Sequence, residues 1–306
     1  MTLLGAASSA GAHHAGQELA PAAIRSAGFV ERLRAGGMTV EDRGDVVRET
    51  FAVDFVRTDA RNLDATVRVA RKVADAVADA ASAGQAPIVV LGGDCTITLG
   101  VVAGVQQVDP DAGLVYFDGD ADLATPDSGG SGILDAMGIA HLLGLADTEL
   151  ARLGPTFPAI AGGRLAMLGY NEADPDTYRD GLLRGHPDLT HFPDRLVRSK
   201  PLETARAALE AVHASANGVI VHFDVDAVDS GDLPLGNFPH YGSGVSLLVA
   251  EQVLTLLCAS RKLRALVLTE VNPTYDPGGA QLGRYVAAVA ASLLKGRSAD
   301  SLGGAR

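Results

Sequence analysis

Short apolar runs alternate with helix-patterned segments along most of this 306-residue chain. Each run is rich in Val, Ile or Leu and only a few residues long, as expected for a strand covered on both faces. The five runs are Ile88 to Leu91, Leu114 to Phe117, Leu165 to Gly169, Val219 to Phe223 and Ala265 to Thr269. The segments with helical periodicity include Asn62 to Ala83, Leu202 to Ala216 and Leu247 to Ser260. This alternation predicts an α/β fold with a parallel sheet covered by helices.

The sequence has neither a Pro/Ser-rich linker nor an internal repeat, which predicts one domain over residues 1–306. The N-terminal MTLLGAASSAGAHHAG has no basic residues before its apolar stretch, which favours a first strand and glycine loop over a signal peptide. The glycine-rich stretch from Asp127 to Gly132 is interpreted as an active-site loop. Residues from about Gly296 onward are predicted to form a loose tail.

The charge balance argues against a nucleic-acid-binding or membrane protein. Twenty-five Lys and Arg against 37 Asp and Glu give a formal net charge of −12, and an acidic surface repels nucleic acid and anionic membranes. No apolar stretch approaches the roughly 18 residues of a membrane span. We therefore expect a cytoplasmic enzyme that acts on a small molecule. The two cysteines are too few for a disulfide framework, and Cys258 is predicted to be a packed core thiol.

Polar side chains cluster at the ends of four predicted strands. In open parallel sheets, ligands bind outside the carboxyl ends of the strands. Acidic residues follow four of the predicted strands, and this pattern predicts a functional site at that edge of the sheet. These residues are, in chain order, Asp94 and Cys95, then Asp118, Asp120 and Asp122, then His222, Asp224 and Asp226, and finally Glu270.

The spacing of the aspartates indicates metal binding. Alternate residues of an extended segment share one face, so Asp118, Asp120 and Asp122 converge, and Asp224 and Asp226 repeat the arrangement. A solvated acidic loop or a helix cap would explain either segment alone, but both segments follow buried strands. Five carboxylates suffice for two divalent ions with shared ligands. Two-metal hydrolytic sites hold their ions about 3.5–4 Å apart and activate a bridging water, and oxygen ligands favour Mg²⁺ or Mn²⁺ over Zn²⁺.

Five motifs in order resemble those of the arginase (ureohydrolase) family. LGGDCTITLG resembles G-G-D-H-S-x-x-x-G, YFDGDAD resembles D-A-H-x-D, and HFDVDAVDSGDLP resembles S-F-D-V-D-x-x-D-P. TEVNP matches E-V-N-P, and GQELAPAAIRSAG resembles the glycine-rich opening segment. Each motif is moderately specific, whereas their joint order from about residue 2 to about residue 295 is highly specific.

The resemblance implies an eight-stranded parallel sheet with helices on both faces and two Mn ions per chain. It also implies hydrolysis of a guanidino C–N bond to an amine such as ornithine plus urea, and it leaves open a homo-oligomer, a trimer or hexamer. Carried over position by position, the implied metal ligands are Asp118 and Asp224 as bridges, Cys95 and Asp122 for one ion, and Asp120 and Asp226 for the other.

The resemblance also implies residues that contact substrate. Glu270 would hold the guanidinium in a charge-assisted pair. Ser131 keeps the family serine that contacts the amino-acid end, whereas the family asparagine two residues on is Ile133 here. Asp174 resembles the aspartate that binds an α-amino group, or it is a turn residue before proline. Asp135 occupies the position of the family's acid/base histidine and is the predicted proton shuttle.

Three family histidines are replaced in this chain. Cys95 and Asp120 stand at the two metal-ligand histidines, and Asp135 stands at the acid/base histidine. A thiolate and a carboxylate in place of two neutral imidazoles make the cage more negative by two formal charges, which lowers the Lewis acidity of the metals. Cys95 and Asp135 resemble the N-hydroxyarginine hydrolases of antibiotic biosynthesis, so an N-hydroxyguanidino substrate that releases hydroxyurea is a second hypothesis within the enzyme class.

His222 is unusual for the family, which has a small residue at this position. It lies two residues before Asp224 and faces the same side of the strand. Either it is a buried histidine bonded to backbone, or it takes over the lost proton shuttle and is catalytic. His13 and His14 lie in the N-terminal loop near the substrate mouth implied by the family.

Two alternatives to a guanidino hydrolase remain at the level of sequence. The loss of three histidines also fits a catalytically impaired relative that binds metal or ligand in a regulatory role. The retention of all five family aspartates and Glu270 favours the enzyme. Deacetylases share the fold class, but their adjacent histidines lie elsewhere in the chain than His13 and His14 do here.

Overall fold

The computed structural model describes residues 1–128, 130–173 and 187–303, without the side chains beyond residue 298. Eight strands form one sheet in the order β2-β1-β3-β8-β7-β4-β5-β6, and every strand pairing within it is parallel. The predicted eight-stranded parallel sheet is confirmed. The strands are β1 (Thr2–Ser8), β2 (Glu41–Glu49), β3 (Ile88–Leu91), β4 (Gly113–Phe117), β5 (Leu165–Leu168), β6 (Thr190–Phe192), β7 (Val219–Asp224) and β8 (Leu263–Thr269).

Helices cover both faces of the sheet. Their apolar residues form two core clusters, one on each face. On one face lie α3, α4 and α5; the other face is covered by α1, α2, α6, α7, α8 and α9. The helices are α1 (Ala20–Ser26), α2 (Phe29–Ala35), α3 (Leu63–Ser82), α4 (Ile97–Gln106), α5 (Gly138–Leu142), α6 (Asp194–Ser199), α7 (Pro201–Ser215), α8 (Leu247–Cys258) and α9 (Ala280–Gly303). Among the described residues, none of these helices has the length and apolar character needed to cross a membrane.

The central strands formed where the apolar runs predicted them. β3, β4, β7 and β8 are almost entirely buried because helices cover them on both faces, so each reads as a continuous apolar run. The predicted helices also formed, with ends within two residues of the predicted bounds. Cys258 at the end of α8 is fully buried in the core, as predicted.

The two edge strands were not predicted. β2 reads EDRGDVVRE, mostly exposed and charged, and β6 has only three half-buried residues. Charged or short edge strands are common because they discourage pairing with other chains, and they carry little of the apolar pattern that reveals a strand. Arg25 anchors β2 through ion pairs of 2.9 Å to Asp42 and 2.6 Å to Asp45.

The C-terminal segment differs from the prediction. α9 continues to Gly303, so the expected loose tail from about Gly296 is wrong for residues 296 to 303. The reason is visible at Gly296, where an added Cβ would lie 2.8 Å from the Thr255 carbonyl oxygen and 2.9 Å from the Ala259 nitrogen. The glycine permits a close approach to the end of α8 from within α9, so it is a packing position in the helix rather than its end.

Candidate active site

The carboxyl ends of four neighbouring strands, β3, β8, β7 and β4, meet at one edge of the sheet. The loops after these strands surround a cavity of about 270 Å³. The acids that the sequence placed at strand ends therefore come together, as the topology of parallel strands requires. Its lining residues include Cys95, Asp118, Asp120, Asp122, Asp135, Asp224, Asp226 and Glu270.

Cys95, Asp118 and Asp224 on the floor of the cavity form a cluster with His222 beneath it, here called the inner cluster. The thiol Sγ of Cys95 lies 2.6 Å from Asp224 Oδ2, 3.6 Å from His222 Nε2 and 3.8 Å from Asp118 Oδ2. His222 Nε2 is 3.2 Å from Asp118 Oδ2. All four side chains are at most 4% exposed. Sulfur, nitrogen and carboxylate oxygen atoms thus converge within the reach of one ion.

His222 lies below the cavity rather than on its wall. Its ring stacks on Tyr116 at 3.9 Å between centroids, and its Nδ1 is 2.7 Å from Thr98 Oγ1 at the start of α4. Burial lowers the pKa of His222 to about 3, so the imidazole is neutral. Its described partners are side chains, not the backbone groups of the buried-histidine alternative. The ring is fully buried and is not part of the cavity lining, and the proton-shuttle role of His222 stays a prediction.

Nearer the mouth, Asp120, Asp226 and His240 form a second group, here called the outer cluster. His240 Nε2 lies 3.1 Å from Asp120 Oδ1. His240 was not predicted from the sequence, because it lies beyond the end of the motif HFDVDAVDSGDLP and in no other family motif. Its loop is fixed by a reciprocal pair of bonds: His240 N donates to Ser230 Oγ at 3.0 Å, and Ser230 N donates to the His240 carbonyl at 2.8 Å.

Asp122 lines the cavity but belongs to neither cluster. Its Oδ2 accepts a hydrogen bond from the Tyr116 hydroxyl, and its backbone has a φ of 47°, in the left-handed region. Burial, followed by the negative charge of Asp120, raises the pKa of Asp122 well above its ordinary value. The predicted role of Asp122 as a ligand of one ion stays a prediction.

Asp135 and Glu270 form a pair of buried carboxyl groups beside the inner cluster. Both accept from the backbone nitrogen of Cys95, at 2.7 Å for Asp135 Oδ1 and 3.1 Å for Glu270 Oε1. Gln17 Nε2 donates to the other oxygen of Glu270 at 2.6 Å. Burial raises the pKa of each group well above its ordinary value, and a neighbouring carboxylate raises it further, Asp94 for Asp135 and Asp135 for Glu270.

The electrostatics of the cavity favour bound cations. Burial is the largest cause that raises the pKa values of Asp118, Asp224 and Asp226, the last to about 6, and adjacent carboxylates add to it. Buried carboxylates ionise only when positive charge compensates them. The thiol of Cys95 is held protonated by the same two causes. The donor atoms therefore fit divalent cations, whose charge would stabilise the ionised form of every ligand.

The remaining predicted site residues lie toward the rim. Ser131 lines the cavity, and its Oγ accepts from the backbone nitrogen of Ile133 at 3.3 Å. His13 also lines it and stacks on Phe238 at 5.7 Å. His14 packs edge-on against a tyrosine outside the lining. Asp174 lies outside the described residues.

Comparison with known proteins identifies the family of this chain. The sequence matches the profile of the arginase family over residues 1–295. The chain belongs to the arginase family. An arginase of Brevibacillus brevis is 32% identical over 281 residues, which are 90% of this chain and 91% of that protein. The membership inferred from the five motifs is confirmed.

Solved structures support the same fold. The arginase of Bacillus subtilis superimposes with a TM-score of 0.82 at 24% identity, over 96% of this chain and 98% of that one. An Entamoeba histolytica arginase in complex with L-ornithine gives a TM-score of 0.83 at 23% identity, over 95% of this chain and 97% of that one. At these identities the structural likeness establishes the fold of this arginase-family chain. The reaction it catalyses has to be inferred from the residues of the cavity.

Proposed function

We propose that this chain is a metal-dependent ureohydrolase that cleaves the C–N bond of a guanidino or N-hydroxyguanidino group. The products would be an amine such as ornithine plus urea or hydroxyurea. One observation carries the proposal: two groups of side chains whose donor atoms could hold a metal ion and a pair of buried carboxyl groups line or underlie one cavity. The family membership supports the hydrolase class, and the cavity supports the kind of substrate.

We propose that the centre holds two divalent ions, with Asp118 and Asp224 between them as the shared ligands. Cys95 and Asp122 would complete the inner position, and Asp120 and Asp226 the outer one. Most of these donors are carboxylate oxygens, which favours Mn²⁺. Bound divalent ions supply Lewis acidity and lower the pKa of a bridging water, so that hydroxide is available at neutral pH.

The carboxyl pair supports a cationic substrate. Asp135 and Glu270 are both buried, and their raised pKa values mean that the pair retains a proton when no cation faces it. A guanidinium carries several N–H donors in a plane and pairs with carboxylates through charge-assisted hydrogen bonds. Glu270 is already oriented by Gln17 and by the Cys95 backbone nitrogen, so its carboxylate is held in place to receive the substrate.

Asp135 is the group that we propose moves the proton. Its Oδ1 accepts from the Cys95 nitrogen, and its side chain hydrogen-bonds to Glu270. Burial and the nearby Asp94 raise the pKa of Asp135 above its ordinary value, so this carboxyl group can hold a proton closer to neutral pH than an ordinary surface aspartate. At the rim, Ser131 would contact the amino-acid end of the substrate. Contact of Asp174 with an α-amino group also stays a prediction, as do the homo-oligomer and the cytoplasmic location.

The decisive experiment combines metal analysis with an assay on L-arginine, N-hydroxy-L-arginine and agmatine, with and without added Mn²⁺. About two ions per chain and turnover of one of these substrates would support the proposal. Selective turnover of N-hydroxy-L-arginine would support the effect of the more negative cage. A protein that binds fewer than one ion per chain and turns over none of the three would instead be the catalytically impaired relative.

A further inference from the structure

We propose that His222 and His240, two histidines at positions where the family's metal signatures have no histidine, each supply an imidazole ligand to the metal centre. His222 would bind the inner ion and His240 the outer ion. The proposal rests on the dinuclear centre of the proposed function and assigns ligands within it. This chain would thereby regain, from β7 and from the loop before α8, the imidazoles that its motifs have lost at Cys95 and Asp120.

The position of His222 fits a ligand of the inner ion. Its Nδ1 is 2.7 Å from the hydroxyl of Thr98, and a ring that donates this proton leaves the Nε2 lone pair free to bind metal. That Nε2 points into the inner cluster, 3.2 Å from Asp118 Oδ2 and 3.6 Å from Cys95 Sγ. The stacked ring of Tyr116 fixes its plane. A ligating histidine is commonly oriented in this way by a hydrogen bond from its second nitrogen.

The position of His240 fits a ligand of the outer ion. Its Nε2 and the carboxylate oxygens of Asp120 and Asp226 lie within 4.8 Å of one another. The ring reaches this place across Gly119, where an added Cβ would lie only 2.9 Å from His240 Cδ2. The family motif D-A-H-x-D has alanine and histidine where this chain has Gly119 and Asp120. The two changes together remove one imidazole from the loop after β4 and make room for another from the loop before α8.

The two sets of donors then differ in kind. The inner ion would be bound by a thiolate, an imidazole and carboxylates, and the outer ion by carboxylates and one imidazole. Sulfur and nitrogen donors favour Co²⁺ and Zn²⁺ over Mn²⁺, whereas carboxylates suit Mn²⁺. We therefore expect the inner position to prefer Co²⁺ or Zn²⁺. The preference for Mn²⁺ proposed above then applies to the outer position.

The test is titration of the metal-free, full-length protein with Co²⁺ alone. Wild-type protein is expected to bind two Co²⁺ and to develop a near-ultraviolet sulfur-to-cobalt charge-transfer band from the ion at Cys95. His222→Gln should weaken the ion that carries this band by more than about 100-fold. His240→Gln should weaken the other ion to a similar extent and leave the band intact. Losses below about 100-fold, the range typical of a residue that only supports a ligand, would overturn the proposal.

His141 provides a matched control. It is fully buried on α5, its Nδ1 lies 2.8 Å from the Met137 carbonyl, and it does not line the cavity. His141→Gln should therefore leave both Co²⁺ affinities unchanged. Should a variant fail to fold, X-ray absorption of the Co²⁺-loaded wild-type protein decides the matter. The spectrum averages over the two ions, so a mean of about one imidazole per Co²⁺ is expected, and a mean of about one half or less would overturn the proposal.

The outcomes also separate this inference from the proposed function. Two Co²⁺ ions with imidazole ligands but no turnover of any guanidino substrate would leave the inference standing and remove the hydrolase. Turnover of a guanidino substrate together with X-ray absorption that shows no imidazole ligand would support the hydrolase and overturn the ligand assignment. Wild-type protein that binds no Co²⁺ would overturn the ligand assignment directly.

Discussion

The inner and outer clusters are built in different ways. Three inner side chains come from β7 or from the residue that follows β4, and Cys95 lies in the short turn between β3 and α4. None of the four is more than 4% exposed. The outer side chains lie on turns and loops after β4 and β7, and the side chain of Asp120 is 16% exposed. The sheet therefore fixes the inner donors, whereas loop sequence sets the outer ones. We expect changes in the inner cluster to have larger effects, and changes near the mouth to tune the site.

The largest effect is expected from Asp224→Asn in the inner cluster. The side chain contacts Cys95 Sγ and caps the following turn by accepting from the Asp226 nitrogen at 2.8 Å. An amide keeps the cap but loses the charge that a shared ligand needs, so turnover should fall by at least about 10³-fold and the metal content should fall with it. Metal analysis and steady-state kinetics check this result.

The same variant has a diagnostic second effect. Without metal, Asp224→Asn removes one of several mutually repelling buried carboxyl groups, so the metal-free variant should be more stable than metal-free wild type. Thermal unfolding in chelator measures this difference. A metal-free variant that melts at a lower temperature would show that Asp224 is a structural residue first.

Glu270→Gln should have a smaller and more selective effect. The side chain loses its charge-assisted pair with the substrate but keeps its size. The single amide oxygen of glutamine can accept from either Gln17 Nε2 or the Cys95 nitrogen, so one of the two bonds that Glu270 accepts is kept. We expect kcat/KM to fall by about 10²-fold, since a buried charge-assisted hydrogen bond is worth about 1.5–3 kcal/mol. Two ions should still bind, so metal analysis serves as the control. Loss of metal in this variant would show that Glu270 is a metal ligand rather than a substrate-binding residue.

The pH dependence of the stability of the metal-free protein should reveal the ionisation of Asp226 in the outer cluster. The pKa of Asp226 is raised from 3.8 to about 6, so this group stabilises the metal-free fold below its unfolded pKa and loses that contribution as the pH rises through about 6. The melting temperature of metal-free protein should therefore fall between about pH 4 and 7. Metal-loaded protein should lack this fall, because a cation favours the ionised form.

The control for the pH experiment is Asp226→Asn. The metal-free variant should lose the part of the fall that Asp226 causes between about pH 4 and 6, since an amide does not titrate. An unchanged profile would assign the effect to other buried acids, and the inner cluster would be the first to consider because its pKa values are raised further.

The smallest effect is expected at the rim. His13 lines the cavity mouth and stacks on Phe238, far along the chain from any metal ligand. His13→Ala should raise KM by less than about 10-fold and leave kcat and metal content unchanged, because only uniform binding is lost. Steady-state kinetics test this, and a fall in kcat would place His13 in the reacting part of the site.

The same contrast explains which parts of the molecule could be predicted. Apolar runs identified the four central strands, and acids at their ends located the cavity, because burial and strand polarity leave a pattern in sequence. β2 was not predicted because an exposed, charged edge strand lacks that pattern. His240 was not predicted because a loop brings it back across the sheet, and its sequence context contains no signal of that path. Likewise, the bond from Tyr116 to Asp122 joins two ordinary motif positions and is visible only in the structure.

Two residues of the cavity, Asp122 and Glu270, adopt left-handed backbone conformations, with φ values of 47° and 63°. Such conformations cost other residues of order 1–3 kcal/mol, whereas glycine adopts them readily. Both positions also place a carboxyl group in a buried, negatively charged setting. Thermostability and turnover therefore favour different residues at positions 122 and 270. A library selected for stability alone should enrich glycine at both positions, and one selected for turnover should keep the acids.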